Sequence, residues 1–383
     1  MNSVLRIEPG SKGYRLGIVS GDMLHFNTTT LEVTELQERG SNPLSEPRVA
    51  EPLQGSKIRP DELFKAQMQS YYEDIARLNG RRSEFISVPC PACGSLDSAF
   101  AFEKYSFSYV ICHECSTLYM NPRPSPEVIA DFCANSSNFR FWKNHIYPSS
   151  ESVRRAKLHK PWLKRIVKYC DSYSVPKGLL VEIGAGFGTF ASVARESAVF
   201  DRVIAVEPNP ELAQACRDRG VPVIKKRVEA MSGEPLSADV AVAFEVVEHL
   251  FSPRDFFTPV REVVKKGGLL VVSCPNAHGF DIALLGSSSW AVDPWHINLF
   301  NPGSLTRLAE SCGFQVLEVS TPGRLDAELV KKAIQDGRFD VSGDPFLKRV
   351  LVDEWDRLGG PFQQFLAAHG LSSHMWLVAQ RQD

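Results

Sequence analysis

Short apolar runs separated by amphipathic stretches dominate the second half of this chain. The runs at 179–183, 202–206, 221–224, 239–244 and 268–273 are rich in Val, Leu, Ile and Ala and show little polar alternation. That is the pattern of strands buried on both faces. Runs at 314–319 and 373–380 bring the set to seven, and helical periodicity fills the gaps between the earlier ones. Strands alternating with helices predict an α/β fold, a parallel sheet covered on both faces. A helical insertion over about 326–370 separates the last two strands.

The first half is patterned differently. Residues 14–36 alternate weakly and hold turn formers at Ser20-Gly21-Asp22 and Asn27, which predicts a small β-hairpin. Pro43, Pro47, Pro52 and Pro60 then punctuate a polar stretch that reads as a linker. From Asp61 to Leu78, apolar residues including Leu63, Phe64, Tyr71, Ile75 and Leu78 recur at helical spacing, and Asn79-Gly80 ends that helix. An aromatic segment, Phe139 to Tyr147, precedes a further helix from about Glu151 to Tyr169. The resulting parse is an extension at 1–60, a helix with a cysteine module at 61–125, and the α/β domain at 126–383.

Composition narrows the partners. Hydrophobic residues make up 43% of the 383 and charged ones 23%, the balance of an ordinary globular protein. A net charge of −2 gives no basic footprint for nucleic acid or an anionic membrane. No apolar run approaches the roughly 18 residues of a membrane helix. MNSVLRIEPG lacks the charged-then-apolar order of a signal peptide. The expectation is a cytoplasmic protein with no membrane or nucleic-acid partner.

Four of the nine cysteines stand in pairs. Cys90-Pro91-Ala92-Cys93 and Cys112-His113-Glu114-Cys115 are separated by 18 residues that read as β-ribbon. Each pair can offer two thiolates from one knuckle, and two knuckles complete a four-cysteine site for structural zinc. A redox dithiol is the competing reading, disfavoured because neither pair opens a helix that would lower a thiol pKa. Cys133, Cys170, Cys216, Cys274 and Cys312 are single and read as small buried residues.

The run at 179–183 feeds directly into Gly184-Ala185-Gly186-Phe187-Gly188, and a small-residue helical pattern follows. Glycines suit a turn that needs positive φ and lets a ligand approach bare backbone. Glu207 ends the next apolar run, 19 residues after Gly188, where a carboxylate can hold two ribose hydroxyls. Dinucleotide sites prefer a G-x-G-x-x-G spacing, whereas this turn is G-x-G-x-G with an acid, Glu182, two residues before it. A carboxylate there repels a pyrophosphate and suits a ligand with a cationic amino group. A turn with no ligand and an NAD site are the competing readings.

The turn resembles motif I of class I S-adenosylmethionine-dependent methyltransferases. Val228 to Met231, Phe244 to Leu250, Gly267 to Val272 and Trp295 to Phe300 extend that likeness. The segment CPACGS…CHECSTLYMNPRPSP resembles the zinc-bearing subgroup that includes bacterial deoxysugar C-methyltransferases and polysaccharide-cluster enzymes. The likeness covers roughly residues 88–383. It implies a Rossmann-like seven-stranded methyltransferase sheet, S-adenosylmethionine as cofactor and a structural Zn2+ on Cys90, Cys93, Cys112 and Cys115. By position it implies that Glu182, Gly184, Ala185, Gly186 and Gly188 surround the methionine part of the cofactor. Glu207, with Pro208 beside it, would take the ribose, Glu229 and the Ala230 N–H the adenine edge, and Phe244 with Glu245 would border the sulfonium. The acid–histidine pair Glu248-His249 matches the candidate base of the sugar C-methyltransferases.

Methyl transfer is an in-line displacement, so the protein mainly holds donor and acceptor in place. A base is needed only if the acceptor loses a proton. His249 titrates near neutrality and has Glu248 beside it, against a reading in which Glu248 caps a helix and His249 packs beneath it. His296, next to Trp295, is the rival base, and His278 is a weaker one. The expected function is methyl transfer to a small polar metabolite, a nucleotide-linked sugar or secondary-metabolite intermediate. A zinc-module RNA methyltransferase and a non-catalytic S-adenosylmethionine-binding protein are the alternatives.

Overall fold

The structure, a computed structural model, describes residues 53–382 and the backbone of two strands near the N-terminus. These strands, β1 (Val4–Gly10) and β2 (Gly13–Val19), pair antiparallel, with Val4 opposite Val19. Residues 1–50 and 51–383 form separate compact units. The turn formers at Ser20-Gly21-Asp22 and Asn27, and the linker prolines up to Pro52, lie outside the described residues.

In the larger unit, the cysteine segment supplies β3 (Ser98–Lys104), β4 (Phe107–Cys112) and β5 (Leu118–Met120), an antiparallel meander. The apolar runs become β6 (Leu179–Ile183), β7 (Arg202–Val206), β8 (Val223–Ile224), β9 (Ala238–Phe244) and β10 (Val264–Pro275). A short strand, β11 (Asn298–Leu299), precedes the last pair, β12 (Phe314–Ser320) and β13 (His374–Arg381). The main sheet has seven strands in the order β8-β7-β6-β9-β10-β13-β12.

Six of these strands run parallel, and β13 runs antiparallel to both its neighbours. Strand–helix alternation predicted a parallel sheet, which these six strands form; β13 is the exception. Its cause lies in the connection. Ser320 at the end of β12 pairs with Trp376 near the start of β13, so the helical insertion leaves and returns at one sheet edge. A chain that re-enters where it left can only run back antiparallel.

Side chains alternate faces along each central strand. Leu180, Val203, Val240, Val242 and Val271 pack one way, onto α2 (Lys160–Ser172) and α3 (Thr189–Glu196). Val181, Ile204, Ala241, Ala243 and Val272 pack the other way, against α5 (Arg254–Val263) and α6 (Pro302–Ser311). A separate helix, α1 (Met68–Asn79), joins the core under the cysteine meander, and α4 (Pro210–Asp218) follows β7. The insertion carries α7 (Asp326–Gln335) and α8 (Trp355–Ala368) around its own apolar cluster.

The cysteine meander is not a detached bead. Strand β11, from the methyltransferase-like half of the sequence, pairs with β5 to make a four-stranded sheet β11-β5-β4-β3. Cys90, Ala92, Cys112 and Tyr119 belong to the same apolar cluster as Val181 and Phe256. Among the described residues, no helix is long and apolar enough to cross a membrane.

Candidate functional site

Strand β6 ends in a turn whose glycines have different jobs. Gly184, Gly186 and Gly188 all have positive φ, at 71°, 55° and 69°. A Cβ on Gly184 would lie 2.6 Å from the Val246 side chain, and one on Gly188 would lie 2.7 Å from Cys216 Sγ. At Gly186 a Cβ would meet nothing within 4 Å. The outer glycines are therefore demanded by packing, and the middle one leaves bare backbone facing open space. The Gly184 and Ala185 N–H groups donate to Val206 O at 2.9 and 3.2 Å, which locks the turn to β7.

Two carboxyls flank this turn, both 5% exposed. Glu207 Oε2 accepts from the Gly186 N–H at 2.8 Å and Oε1 from the Asn209 N–H at 2.9 Å. Burial raises its pKa, and those two backbone donors work against the rise. Each oxygen keeps a second lone pair for an outside hydroxyl. Glu182 Oε2 accepts from the Ala191 N–H in α3 at 2.9 Å, and burial pushes this carboxyl up to about 8. Bare backbone at Gly186, a hydroxyl acceptor at Glu207 and a buried acid at Glu182 fit a ligand that carries both a ribose and an ammonium group.

The other expected cofactor residues are placed less uniformly. Pro208 is exposed beside Glu207. Glu229 and Ala230 are exposed on the short helical turn Val228–Ala230, where the Ala230 N–H already donates to Arg227 O at 3.1 Å. Phe244 lies in an aromatic cluster with Trp162, Phe190 and Trp376, at centroid distances of 4.8, 4.9 and 5.3 Å. Tyr147 covers the turn from above, its ring 4.1 Å from that of Phe187.

Past β9 the chain enters a strained turn. Glu245 sits at φ 55°, its N–H donating to Ser273 O at 3.0 Å. Its Oε1 accepts from Ser273 Oγ at 2.8 Å and from His374 Nε2 at 2.9 Å. Neighbouring protein atoms partly desolvate the exposed Glu245 carboxyl and oppose its ionisation, but the His374 imidazole and the Ser273 hydroxyl overcome this and bring it down to about 2. Next, Val247–His249 forms one tight helical turn. Glu248 is 0% exposed with neither oxygen hydrogen-bonded, and burial, then the Glu245 charge, raises its pKa well above the carboxylate range.

His249 and His296 come together from positions 47 residues apart in sequence, their rings 5.0 Å apart. His249 Nδ1 lies 2.9 Å from Trp295 O, and His296 Nδ1 lies 2.7 Å from Ala291 O. A carbonyl can only accept, so each Nδ1 carries the proton and each Nε2 keeps a free lone pair. Desolvation, then the neighbouring His296, lowers the His249 pKa to about 4. His278 stays exposed in the turn after Asn276, outside this group.

Three residues that were not candidates in the sequence hold this edge together. Arg123, fully buried, donates to Phe251 O at 3.1 Å and to Asn298 Oδ1 at 2.8 Å. Asn298 Nδ2 in turn donates to Leu250 O at 2.7 Å and Val247 O at 3.2 Å. His374 completes the Glu245 pair from the last strand. Two hints stood in the sequence: a polar residue opening an otherwise apolar strand, and an arginine inside the Asn-Pro-Arg-Pro segment.

The four paired cysteines also converge. Their sulfurs all lie within 4.8 Å of one another, with Cys90–Cys115 and Cys93–Cys112 each at 3.5 Å. All are free thiols. Each knuckle closes with the residue after its second cysteine at positive φ, Gly94 at 78° and Ser116 at 56°. Asn301, which caps α6, donates to Cys115 O at 2.8 Å and ties the knuckle to the sheet.

Comparison with known proteins agrees with this geometry. A family model for the methyltransferase domain matches residues 154–319. A probable S-adenosylmethionine-dependent methyltransferase of Mycolicibacterium smegmatis is 27% identical over 217 residues, 52% of this chain and 79% of that protein. The ubiquinone biosynthesis O-methyltransferase of Roseobacter denitrificans is 34% identical over 118 residues, 29% and 48% of the two chains. The C-methyltransferase NovU of Streptomyces niveus is 28% identical over 167 residues, 42% and 38% of the two chains. The last two matches span less than half of those relatives. The chain is an enzyme, an S-adenosylmethionine-dependent methyltransferase.

Proposed function

We propose that this methyltransferase acts on a small polar metabolite, a nucleotide-linked sugar or secondary-metabolite intermediate, methylating an ionisable oxygen or carbon. The observation that carries this reading is the pair of free Nε2 lone pairs, on His249 and His296, at the same sheet edge as the glycine turn. S-adenosylmethionine, when bound, supplies the electrophilic methyl group. Glu207 would hold its ribose, Glu182 its ammonium and the Gly186 backbone its close approach, while Phe244 and Glu245 would border the reacting end. Relatives named for O- and C-methylation support both acceptor types.

His249 takes the acceptor's proton. Its imidazole is neutral because of desolvation, its Nδ1–H is fixed on Trp295 O, and its Nε2 is open to receive. Glu245, held ionised by His374, stabilises the imidazolium that forms. Glu248, Arg123 and Asn298 position the turn. The cysteine cluster would hold structural zinc, because four thiols from two closed knuckles match a tetrahedral sulfur site.

The test is turnover of S-adenosylmethionine with a panel of nucleotide-linked sugars and hydroxylated metabolites. His249→Asn should lower turnover by about 10²–10⁴-fold, the contribution of a positioned base, with cofactor affinity nearly unchanged. Loss of cofactor binding or of thermal stability in that variant would instead mark His249 as a packing residue. Full activity in it, with collapse in His296→Asn, would transfer the role.

A further inference from the structure

We infer that Glu248, His249 and His296 form a binding site for a divalent transition-metal cation such as Mn2+, Fe2+ or Zn2+, separate from the four-cysteine cluster. One potential donor atom from each residue, a ring nitrogen of each imidazole and a Glu248 carboxyl oxygen, can be chosen so that all lie within 4.8 Å of one another. His249 Nε2 is 3.9 Å from Glu248 Oε1.

Three independent features aim this group at a cation. First, both imidazoles donate Nδ1–H to a backbone carbonyl, which leaves the Nε2 of each as the nitrogen available to a cation. That is how metal-binding histidines are held in register. Second, Glu248 is 0% exposed and neither oxygen has a hydrogen-bond partner. An orphaned buried carboxyl costs stability that a bound cation would recover. Third, two imidazoles and one carboxylate are a donor set suited to Mn, Fe and Zn, with open positions left for an outside ligand. Bonds of about 2.1 Å need donors about 3–4 Å apart, so the three side chains would close by about 1 Å around the ion.

The inference deepens the reading of this edge as the acceptor site, and rests on that reading for the cation's role but not for its binding. A coordinated acceptor hydroxyl would have its pKa lowered and release its proton to solvent. The oxygen then forms its bond to the methyl carbon as the carbon–sulfur bond breaks, the electron pair staying on sulfur. In that state His249 is a ligand; in the cation-free enzyme it is the base.

Mn2+ separates the two metal sites, because it favours nitrogen and oxygen donors over four thiolates. Zinc-loaded full-length protein is titrated with Mn2+ and the free-ion signal followed by electron paramagnetic resonance. One Mn2+ per chain should bind, with affinity reduced more than about tenfold in Glu248→Gln and in His296→Asn, and unchanged in His369→Asn on the exposed end of α8. Circular dichroism and cofactor binding check that each variant is folded, and Glu248→Asp, which keeps a carboxylate, should retain part of the affinity. No stoichiometric Mn2+ binding, or wild-type binding in both ligand variants, overturns the inference. If the site stays empty while the enzyme turns over, His249 as base survives. If Mn2+ binds at the site but no acceptor is methylated, the cation site survives and the proposed function fails.

Discussion

At the residue scale, the most informative group is Glu182. Its carboxyl, raised to about 8 by burial, is protonated in the free protein at neutral pH. An ammonium-bearing ligand favours the ionised form, so binding below that pKa must expel a proton. Affinity for S-adenosylhomocysteine should therefore rise with pH, by up to about tenfold per unit, and level off above about 8. Calorimetry at pH 6, 7 and 8.5 reads this directly, and a flat profile would remove Glu182 from the ligand's ammonium. Glu207→Ala should weaken the same ligand by about 1–3 kcal/mol, since a charged acceptor for two hydroxyls is lost. The glycines divide by the space around them. Gly188→Ala combines positive φ with a 2.7 Å contact to Cys216 Sγ and should destabilise the fold by about 1–3 kcal/mol. Gly186→Ala carries positive-φ strain of about 1–2 kcal/mol but no steric clash, and should in addition weaken cofactor binding; thermal melts of both variants with and without ligand separate the two effects.

Elements explain how those residues are held. From Ser137 to Ser172 the chain is one helical rod interrupted by π-helical turns at Trp142–Ile146 and Arg155–His159. Each is followed by a proline within two residues, Pro148 and Pro161, which supplies no N–H to the ladder. The wider turns absorb that loss, and Tyr147 packs on Phe187 of the glycine turn. On the opposite side, Arg123 is the pin between three short segments: the end of the cysteine sheet, the Val247–Phe251 turn and β11. Arg123→Met keeps the apolar stem but orphans Phe251 O and Asn298 Oδ1. It should cost at least about 1–3 kcal/mol, the penalty for one unsatisfied buried acceptor, and lower turnover by loosening the His249 turn. Denaturant melts alongside turnover would show it, and wild-type values for both would mean the pin is dispensable.

For the whole molecule, the cysteine cluster and the main sheet share one core. Cys90 and Cys112 pack with Val181 and Phe256, and β11 joins the cysteine sheet just beyond His296. Purified protein should carry about one zinc equivalent, as a closed four-ligand site requires. Cys93→Ser should shift a single cooperative melting transition downward, without creating a separate early one, because no boundary divides the core. It should also reduce turnover, since His296 is placed by a segment paired to the cysteine sheet. Two resolved calorimetric transitions, or full turnover in a metal-free variant, would mean that the module is energetically separate.

Periodicity along the sequence determined the strands, most of the helices and the seven-stranded α/β class, because strands buried on both faces leave no choice but apolar runs. Motif spacing singled out the glycine turn, Glu207 and the four cysteines, since local backbone geometry needs those residue types at those intervals. The direction of β13 was not legible, being decided by where a helical excursion of some fifty residues re-enters the sheet. Nor were the engaged state of the Ala230 N–H, the Glu245–His374 pair or the Arg123–Asn298 clamp. These depend on which strand ends share an edge, and partners up to 175 residues apart leave no mark on local spacing. The meeting of His249 with His296 belongs to the same class: each was visible as a candidate, but only the tertiary fold brought their rings to 5.0 Å of one another.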